Sequence, residues 1–132
     1  MKDSEKKFRK KLSSEQYKIL REKGTEKAFS GKHLKEKRKG VFSCAGCGNQ
    51  LFPSDTKFES GTGWPSFYDV AKKGNVILKP DNSFFTKRTE VLCAKCKSHL
   101  GHVFDDAPQT PTGKRYCINS CALNFKEKKD AK

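Results

Sequence analysis

Apolar residues are scarce in this chain of 132 residues, of which 33% are hydrophobic. Because that fraction is low for a globular protein, a metal ion or disulfides would be expected to reinforce the thin core. No apolar run approaches the roughly 18 residues of a membrane span, which argues against a membrane protein. No apolar stretch follows the basic N-terminal residues, so we expect no secretory signal and a reducing, cytoplasmic location.

Acidic residues are also few, 15 against 29 lysines and arginines, and the net charge is +14. Residues 1–40 hold an excess of +9 (15 basic, 6 acidic), while residues 41–125 hold only +3 (10 basic, 7 acidic). Such basicity can attract nucleic acid, although it is equally typical of a solvated surface. We predict a basic flexible arm over residues 1–11, one domain over 12–125 and a charged tail over 126–132.

One short helix is predicted near the N-terminus. Ser13 stands three residues before Gln16, the spacing of a capping box that starts a helix. Tyr17 and Leu20 would share one face of this helix, and Ile19 lies off that stripe. We therefore expect the helix to bury little.

Short apolar runs separated by turn residues follow from residue 41 onward. The strand candidates are Val41–Phe42, Leu51–Phe52, Val76–Leu78, Ser83–Thr86, Glu90–Leu92, His102–Phe104, Arg115–Asn119 and Leu123–Phe125. Many short strands with few helices predict a mainly β fold, a small antiparallel β barrel or sandwich with a short N-terminal helix.

Four of the six cysteines form two Cys-x-x-Cys pairs, Cys44 with Cys47 and Cys93 with Cys96. Each pair is a tight turn that brings two sulfurs to one side, and two such turns supply the four thiolates that Zn²⁺ favours. The alternative, a redox pair, belongs near a βαβ pattern, which the sequence lacks. We predict a structural zinc site, closed and without an open position for chemistry.

The remaining cysteines are Cys117 and Cys121. In a strand, Arg115, Cys117 and Asn119 would share one face, which puts a cation and an amide beside a thiol. A nearby cation lowers the pKa of a thiol and so favours a reactive thiolate. A cysteine packed into a small β core is the alternative that this pattern leaves open.

Two histidines and the single tryptophan complete the candidate site. His99 and His102 follow the second cysteine pair and could donate protons near neutral pH, or be ordinary hydrogen-bonded residues. Trp64 lies in a glycine-containing loop, where it could line an apolar pocket or cap the core.

Several longer motifs carry a family resemblance. They are Gly61-x-Gly63-Trp64-Pro65-Ser66-Phe67, Arg88-Thr89-Glu90-Val91, His99-Leu100-Gly101-His102-Val103-Phe104 and Gly113-x-Arg115-Tyr116-Cys117-Ile118-Asn119-Ser120, with the two cysteine pairs in their expected places. In this order they resemble the B-type methionine-R-sulfoxide reductases, over residues 12–125.

The resemblance implies a role for each residue of the candidate site. Cys117 would be the nucleophile that attacks the sulfoxide sulfur, and His99 and His102 would protonate the sulfoxide oxygen. Arg115 and Asn119 would stabilise the thiolate and order substrate or water. The product would be methionine and a sulfenic acid on Cys117.

The resemblance also implies a substrate pocket and a recycling step. Trp64, with Phe104 near it, would hold the S-methyl group and help to select the R epimer. Many family members carry a resolving cysteine where this chain has Thr62. Cys121 is the remaining candidate for that role. We expect thioredoxin or another thiol to reduce the Cys117 sulfenic acid directly, and the enzyme to be a monomer.

A zinc-ribbon nucleic-acid-binding protein is the competing interpretation, suggested by the charge and the four cysteines. It predicts basic and aromatic residues interleaved on one face. The excess charge lies instead mostly in residues 1–40, and this interpretation leaves Cys117 and the two histidines without a role. We therefore expect neither nucleic acid nor a membrane as a partner.

Overall fold

The mainly β fold predicted from the sequence is confirmed by a computed structural model of the chain. The residues it describes are 8–22, 24–27, 29, 31, 33–34, 36–81 and 88–127. Within them lie helix α1 (Ser14–Glu22) and strands β1 (Gly40–Cys44), β2 (Gln50–Pro53), β3 (Lys57–Phe58), β4 (Ser66–Phe67), β5 (Val76–Asp81), β6 (Arg88–Cys93), β7 (His99–Phe104), β8 (Arg115–Ile118) and β9 (Leu123–Glu127). The strand candidate Ser83–Thr86 lies outside the described residues.

The strands form two antiparallel sheets. Three strands make one sheet in the order β2-β1-β9, and six make the other in the order β3-β4-β8-β7-β6-β5. The two-residue strands β3 and β4 were not predicted, because two residues are too few to show an alternating pattern. Strand β4 matters for the site, since it pairs with β8 along one side.

The core lies between the two sheets and includes four buried aromatic side chains. Phe42 and Phe52 from the smaller sheet meet Phe67 and Tyr116 from the larger one. The rings of Phe52 and Phe67 stack with centroids 4.6 Å apart, and those of Phe42 and Phe67 meet edge-on at 5.1 Å. Each fully buried ring contributes about 1.5–3 kcal/mol, so a few large side chains compensate for the low apolar content.

Helix α1 begins as its capping box predicts. The Gln16 N–H donates to the Ser13 Oγ at 3.1 Å, and the Ser13 N–H donates to the Gln16 side-chain oxygen at 3.0 Å. The prediction that this helix buries little is wrong, since Ile19 and Leu20 are both buried, at 3% and 1% exposure. A helix that packs between β7 and the turn after β8 buries more than one narrow stripe.

The chain ends differ from the boundaries expected for the arm and the tail. Residues 8–11 are helical, and Phe8 packs against the core. Lys126 and Glu127, placed in the tail by the sequence analysis, extend strand β9. No helix in the described part of the chain is long and apolar enough to cross a membrane.

Strands β7 and β8 approach each other unusually closely at Gly101. A Cβ atom at this position would lie 2.1 Å from the backbone oxygen of Cys117 and 3.0 Å from the Cα of Ile118. Only glycine fits there, because the obstacle is backbone of the neighbouring strand and cannot swing away. Gly101 therefore sets the spacing between the strand that carries the two histidines and the strand that carries Cys117.

We expect Gly101→Ala to destabilise the protein by at least about 3 kcal/mol, since the methyl group must push two central strands apart. Urea unfolding measures this free energy. Gly113→Ala is the control: Gly113 has a φ of 73° but open space around it, so its substitution should cost only about 1–2 kcal/mol. Equal losses in the two variants would contradict the steric explanation.

Candidate active site and metal centre

The four cysteines of the two Cys-x-x-Cys pairs come together, with all four Sγ atoms within 4.8 Å of one another. The Sγ atoms of Cys47 and Cys93 are 3.5 Å apart, and those of Cys44 and Cys96 are 3.7 Å apart. A tetrahedral Zn²⁺ with Zn–S bonds of about 2.3 Å requires sulfurs about 3.8 Å apart. The donor set and its spacing therefore fit a metal ion.

The two cysteine turns share one backbone design. The N–H groups of Gly48 and Lys97 donate to the carbonyls of Cys44 and Cys93, each at 2.8 Å. Gly48 and Lys97 both adopt a positive φ, 82° and 64°. Lysine seldom takes this conformation, so the hydrogen bond that closes the second turn must hold Lys97 in it.

The crowded thiols also disfavour more than one negative charge in the absence of a cation. Hydrogen bonds from Cys44 and Cys96 hold the pKa of Cys93 below its usual value. The same bonds to Cys93 and Cys96, together with burial, raise the pKa of Cys44. Four thiolates at this spacing need the charge of a metal ion.

Two cationic side chains from the N-terminal helical region contact the cysteine turns from outside. The Lys11 Nζ donates to the Gly46 carbonyl at 2.9 Å, and the Arg21 Nη1 donates to the Cys96 carbonyl at 2.8 Å. Arg21 also donates to the Ser98 Oγ at 3.1 Å, which lies 3.0 Å from the Cys96 Sγ. These contacts place positive charge beside each turn, where it would offset the net negative charge of a metal–thiolate centre.

Cys117 lies in the middle of the larger sheet, away from the four-cysteine cluster. On β8 it is paired in register with Ser66 of β4 and His102 of β7. Directly paired residues of antiparallel strands project to the same face, so His102 and Cys117 face one cavity. The cavity has a volume of about 260 Å³ and is lined by Thr25, Thr62, Trp64, Arg88, Gly101, His102, Phe104, Arg115, Cys117 and Asn119.

The predicted alternation along β8 is confirmed. Arg115 and Cys117 are half-buried, while Tyr116 and Ile118 are buried on the opposite face. The strand ends at Ile118, one residue earlier than predicted, yet Asn119 still lines the cavity. The structure therefore brings six of the predicted catalytic and substrate-binding residues to one cavity.

The pKa of Cys117 lies above its usual value, because burial of the thiol outweighs all other influences. The Thr62 hydroxyl, 3.8 Å from the Cys117 Sγ, and the Arg115 guanidinium both lower the pKa, as a hydrogen-bond donor and a cation should. Arg115 therefore lowers the pKa of Cys117 as expected, but by less than burial raises it. At neutral pH Cys117 therefore rests as a thiol.

Arg115 is fixed beside the cavity by two neighbours. Its Nε and Nη2 atoms donate to the two carboxylate oxygens of Asp106 at 3.0 and 2.9 Å. Its guanidinium carbon lies 4.5 Å from the centre of the Phe104 ring. The bond to Arg115 lowers the pKa of Asp106, and the bond to Asp106 raises the pKa of Arg115. Arg115 is thus a positioned, permanently charged group.

The two histidines have different surroundings. His102 lines the cavity, whereas His99 is buried at 3% exposure with its Nδ1 2.8 Å from a carboxylate oxygen of Glu90. Their ring centres are 5.5 Å apart. A β-bulge pairs His99 with Leu92, so Leu100 is left over and His99 turns to the face shared by Glu90 and His102. A buried carboxylate, a buried imidazole and the cavity histidine therefore lie in sequence.

Glu26 is a site residue that sequence reasoning missed. Its N–H donates to the Asn119 Oδ1 and its carbonyl accepts from the Trp64 Nε1, both at 3.0 Å. Its carboxylate accepts the N–H groups of Ser120 and Cys121 at 2.8 and 3.0 Å. Glu26 therefore links two walls of the cavity through residues that are far apart in the sequence.

Asn119 is also held in place by hydrogen bonds to neighbouring segments. Its Nδ2 and its backbone N–H both donate to the Leu100 carbonyl, at 3.1 and 2.9 Å. Of the side-chain amide, one N–H is left to face the cavity. Asn119 is thus held rigidly by β7 and by the Glu26 segment.

Cys121 lies in a short 3-10 helix, Ser120–Ala122, which turns the chain after Asn119. Cys121 is not among the described residues that line the Cys117 cavity. Its carbonyl accepts from the Gln16 side chain at 3.3 Å, on the side of helix α1. Burial, with the nearby Glu26 and Glu15, raises the pKa of Cys121 to about 12. The thiol is therefore poorly suited to attack at neutral pH.

Thr62→Val should raise the pKa of Cys117 further, because the thiolate loses a hydrogen-bond donor. The pH dependence of Cys117 alkylation by iodoacetamide, followed by mass spectrometry, measures the midpoint. Thr62→Ser keeps the hydroxyl and should keep the wild-type midpoint. An unchanged midpoint in the valine variant would show that the Thr62 contact has no electrostatic effect.

Comparison with known proteins agrees with this geometry. The SelR domain family matches residues 12–127. A peptide methionine sulfoxide reductase MsrB from Methanosarcina barkeri is 60% identical, over 98% of this chain and 90% of that protein. Proteins of the same name from Leptospira interrogans and Bradyrhizobium diazoefficiens are each 56% identical, over 94% and 95% of this chain and 94% and 89% of their own lengths. The chain therefore belongs to the SelR-domain family of B-type peptide methionine sulfoxide reductases.

Proposed function

We propose that this protein reduces methionine-R-sulfoxide to methionine, with Cys117 as the nucleophile. One observation carries the proposal: Cys117 faces a small cavity together with His102, Arg115 and Trp64, in a chain whose relatives are named for this reaction. A cavity of about 260 Å³ suits a single side chain such as that of methionine sulfoxide. The sequence left open the alternative that Cys117 is simply packed into the β core. A cysteine in that position would not face such a cavity.

The reaction begins with attack of the Cys117 Sγ on the sulfoxide sulfur. Because Cys117 rests as a thiol, its proton must leave as the bond forms. His102, paired in register with Cys117, is placed to take that proton and to donate one to the sulfoxide oxygen. The oxygen passes to Cys117, so the substrate sulfur is reduced by two electrons and the Cys117 sulfur is oxidised by two, to a sulfenic acid.

The other site residues orient these groups. His99, held by Glu90, supports the proton transfer through His102. Arg115, fixed by Asp106, stabilises negative charge that develops on the Cys117 sulfur. Asn119 orders the substrate or a water through its remaining N–H. Trp64 and Phe104 hold the S-methyl group, and their fixed positions favour one epimer of the sulfoxide.

The four-cysteine cluster is proposed to hold Zn²⁺. Cys44, Cys47, Cys93 and Cys96 would supply all four ligands, so the ion would cross-link the chain without an open position for substrate. Lys11 and Arg21 would balance the charge of this centre from outside. A reducing cytoplasm suits both these ligands and a thiol nucleophile.

Recycling is proposed to use an external thiol such as thioredoxin, with the enzyme acting as a monomer. Thr62 lies beside Cys117, where it cannot form a disulfide. Cys121 has a raised pKa and lies toward Glu26 and helix α1. The competing function, a zinc-ribbon nucleic-acid-binding protein, is not favoured by the family match.

Cys117→Ser should lower the rate of methionine-R-sulfoxide reduction with dithiothreitol by at least about a thousandfold, because the nucleophile is lost. Product formation from each purified epimer, followed by chromatography, measures the effect. Cys121→Ser is the matched control and should retain activity. An active serine variant at position 117, or preferred reduction of the S epimer by the wild type, would overturn the proposal.

A single turnover without reductant should leave a sulfenic acid on Cys117, which dimedone traps for mass spectrometry. No Cys117–Cys121 disulfide should form. Thr62→Cys places a second sulfur beside Cys117, and after one turnover the introduced thiol should form a disulfide with Cys117. A stoichiometric disulfide between Cys117 and Cys121 in the wild type would refute direct reduction by an external thiol.

A further inference from the structure

A second cavity adjoins the cavity that holds Cys117, and Trp64 lines both of them. Its volume is about 550 Å³, roughly twice that of the Cys117 cavity. Its apolar lining consists of Phe29, Leu34, Phe58, Trp64 and Pro65. We call this second cavity the Phe29 groove.

Phe29 has two unusual properties. Its side chain is 69% exposed, and among the described residues the other large exposed hydrophobic side chain is Leu78, at 45%. Its φ is 65°, a conformation that a bulky residue seldom adopts, and its N–H donates to the Gly63 carbonyl at 2.7 Å. An aromatic ring held toward solvent in an unfavourable backbone conformation is typical of a binding surface.

The size of the Cys117 cavity determines what must lie in the groove. At about 260 Å³ it accepts one side chain, so the backbone of a protein substrate has to remain outside it. Because Trp64 lines both cavities, a polypeptide whose oxidised methionine points at Cys117 can extend into the groove. Among the described residues that line the groove, the charged ones are Lys37 and Glu59, whose charges offset each other, so its apolar side chains dominate recognition.

We propose that the Phe29 groove binds the polypeptide segment next to the oxidised methionine, and that it prefers apolar residues there. This inference rests on the proposed function and adds to it a preference for apolar residues beside the oxidised methionine. The occupant is a peptide rather than the reductant, since the groove shares Trp64 with the cavity that would hold the substrate side chain.

The test compares two substrates with dithiothreitol as reductant. One is a peptide with leucine and phenylalanine beside methionine-R-sulfoxide, and the other is N-acetyl-methionine-R-sulfoxide amide. In Phe29→Ala the ratio of kcat/KM for the peptide to that for the small substrate should fall by about tenfold, through a higher KM for the peptide. Leu78→Ala, the matched loss of an exposed apolar side chain outside the groove, should keep the wild-type ratio.

Three outcomes would overturn the proposal. An unchanged ratio in Phe29→Ala would mean that the peptide does not use the groove. A loss confined to reactions driven by thioredoxin, and equal for both substrates, would assign the groove to the reductant. A concentration-dependent dimer that Phe29→Ala dissociates in sedimentation would assign it to a second copy of the chain.

A binding measurement separates this proposal from the proposed function. Trp64 is the single tryptophan of the chain and lines the groove, so its fluorescence reports occupancy without turnover. Titration of the sulfoxide peptide into Cys117→Ser should give a saturable change, and adding Phe29→Ala should raise the Kd by about tenfold. Equal Kd values with and without Phe29→Ala would contradict the groove as a peptide-binding site. If the wild type reduces no sulfoxide but Phe29→Ala still weakens peptide binding, only the proposed reduction would be contradicted.

Discussion

The four-cysteine cluster is the constraint on which the rest of the structure depends. Its first pair follows β1 in the smaller sheet, and its second pair joins β6 to β7 in the larger one. A metal ion bound there would fix the two sheets against each other. For a chain with 33% hydrophobic residues, such a cross-link would supply stability that apolar burial alone would not.

The geometry around Cys117 follows from that frame. The second cysteine turn leads directly into β7, and Gly101 then allows β7 to approach β8 closely enough for His102 to face Cys117. The same burial that shapes the cavity raises the pKa of Cys117. In the proposed mechanism a neighbouring proton acceptor activates this thiol only when the substrate arrives. Until then, a thiol is less prone to accidental oxidation than a thiolate would be.

Much of this arrangement could be predicted from the sequence, and the parts that could not share a cause. Local patterns predicted the cysteine pairs, most of the strands and the shared face of Arg115 and Cys117. Contacts between distant segments were not predictable: Glu26 joins two walls of the cavity by backbone bonds, and the burial of Ile19 depends on packing against β7. The bulge between β6 and β7 turns the His99 side chain to the face of the sheet that carries Glu90. Regular alternation along the strand would place His99 on the opposite face.

Whether the four cysteines hold the fold together is best tested by calorimetry of the protein before and after metal removal with a chelator and a thiol reductant, alongside metal analysis. We expect stoichiometric zinc in the untreated protein, in wild type and in Cys117→Ser alike. Removal should lower the Tm by at least roughly 15 °C or abolish the cooperative transition. A metal-free protein that unfolds cooperatively at the same temperature would contradict the claim that the four cysteines hold the fold together.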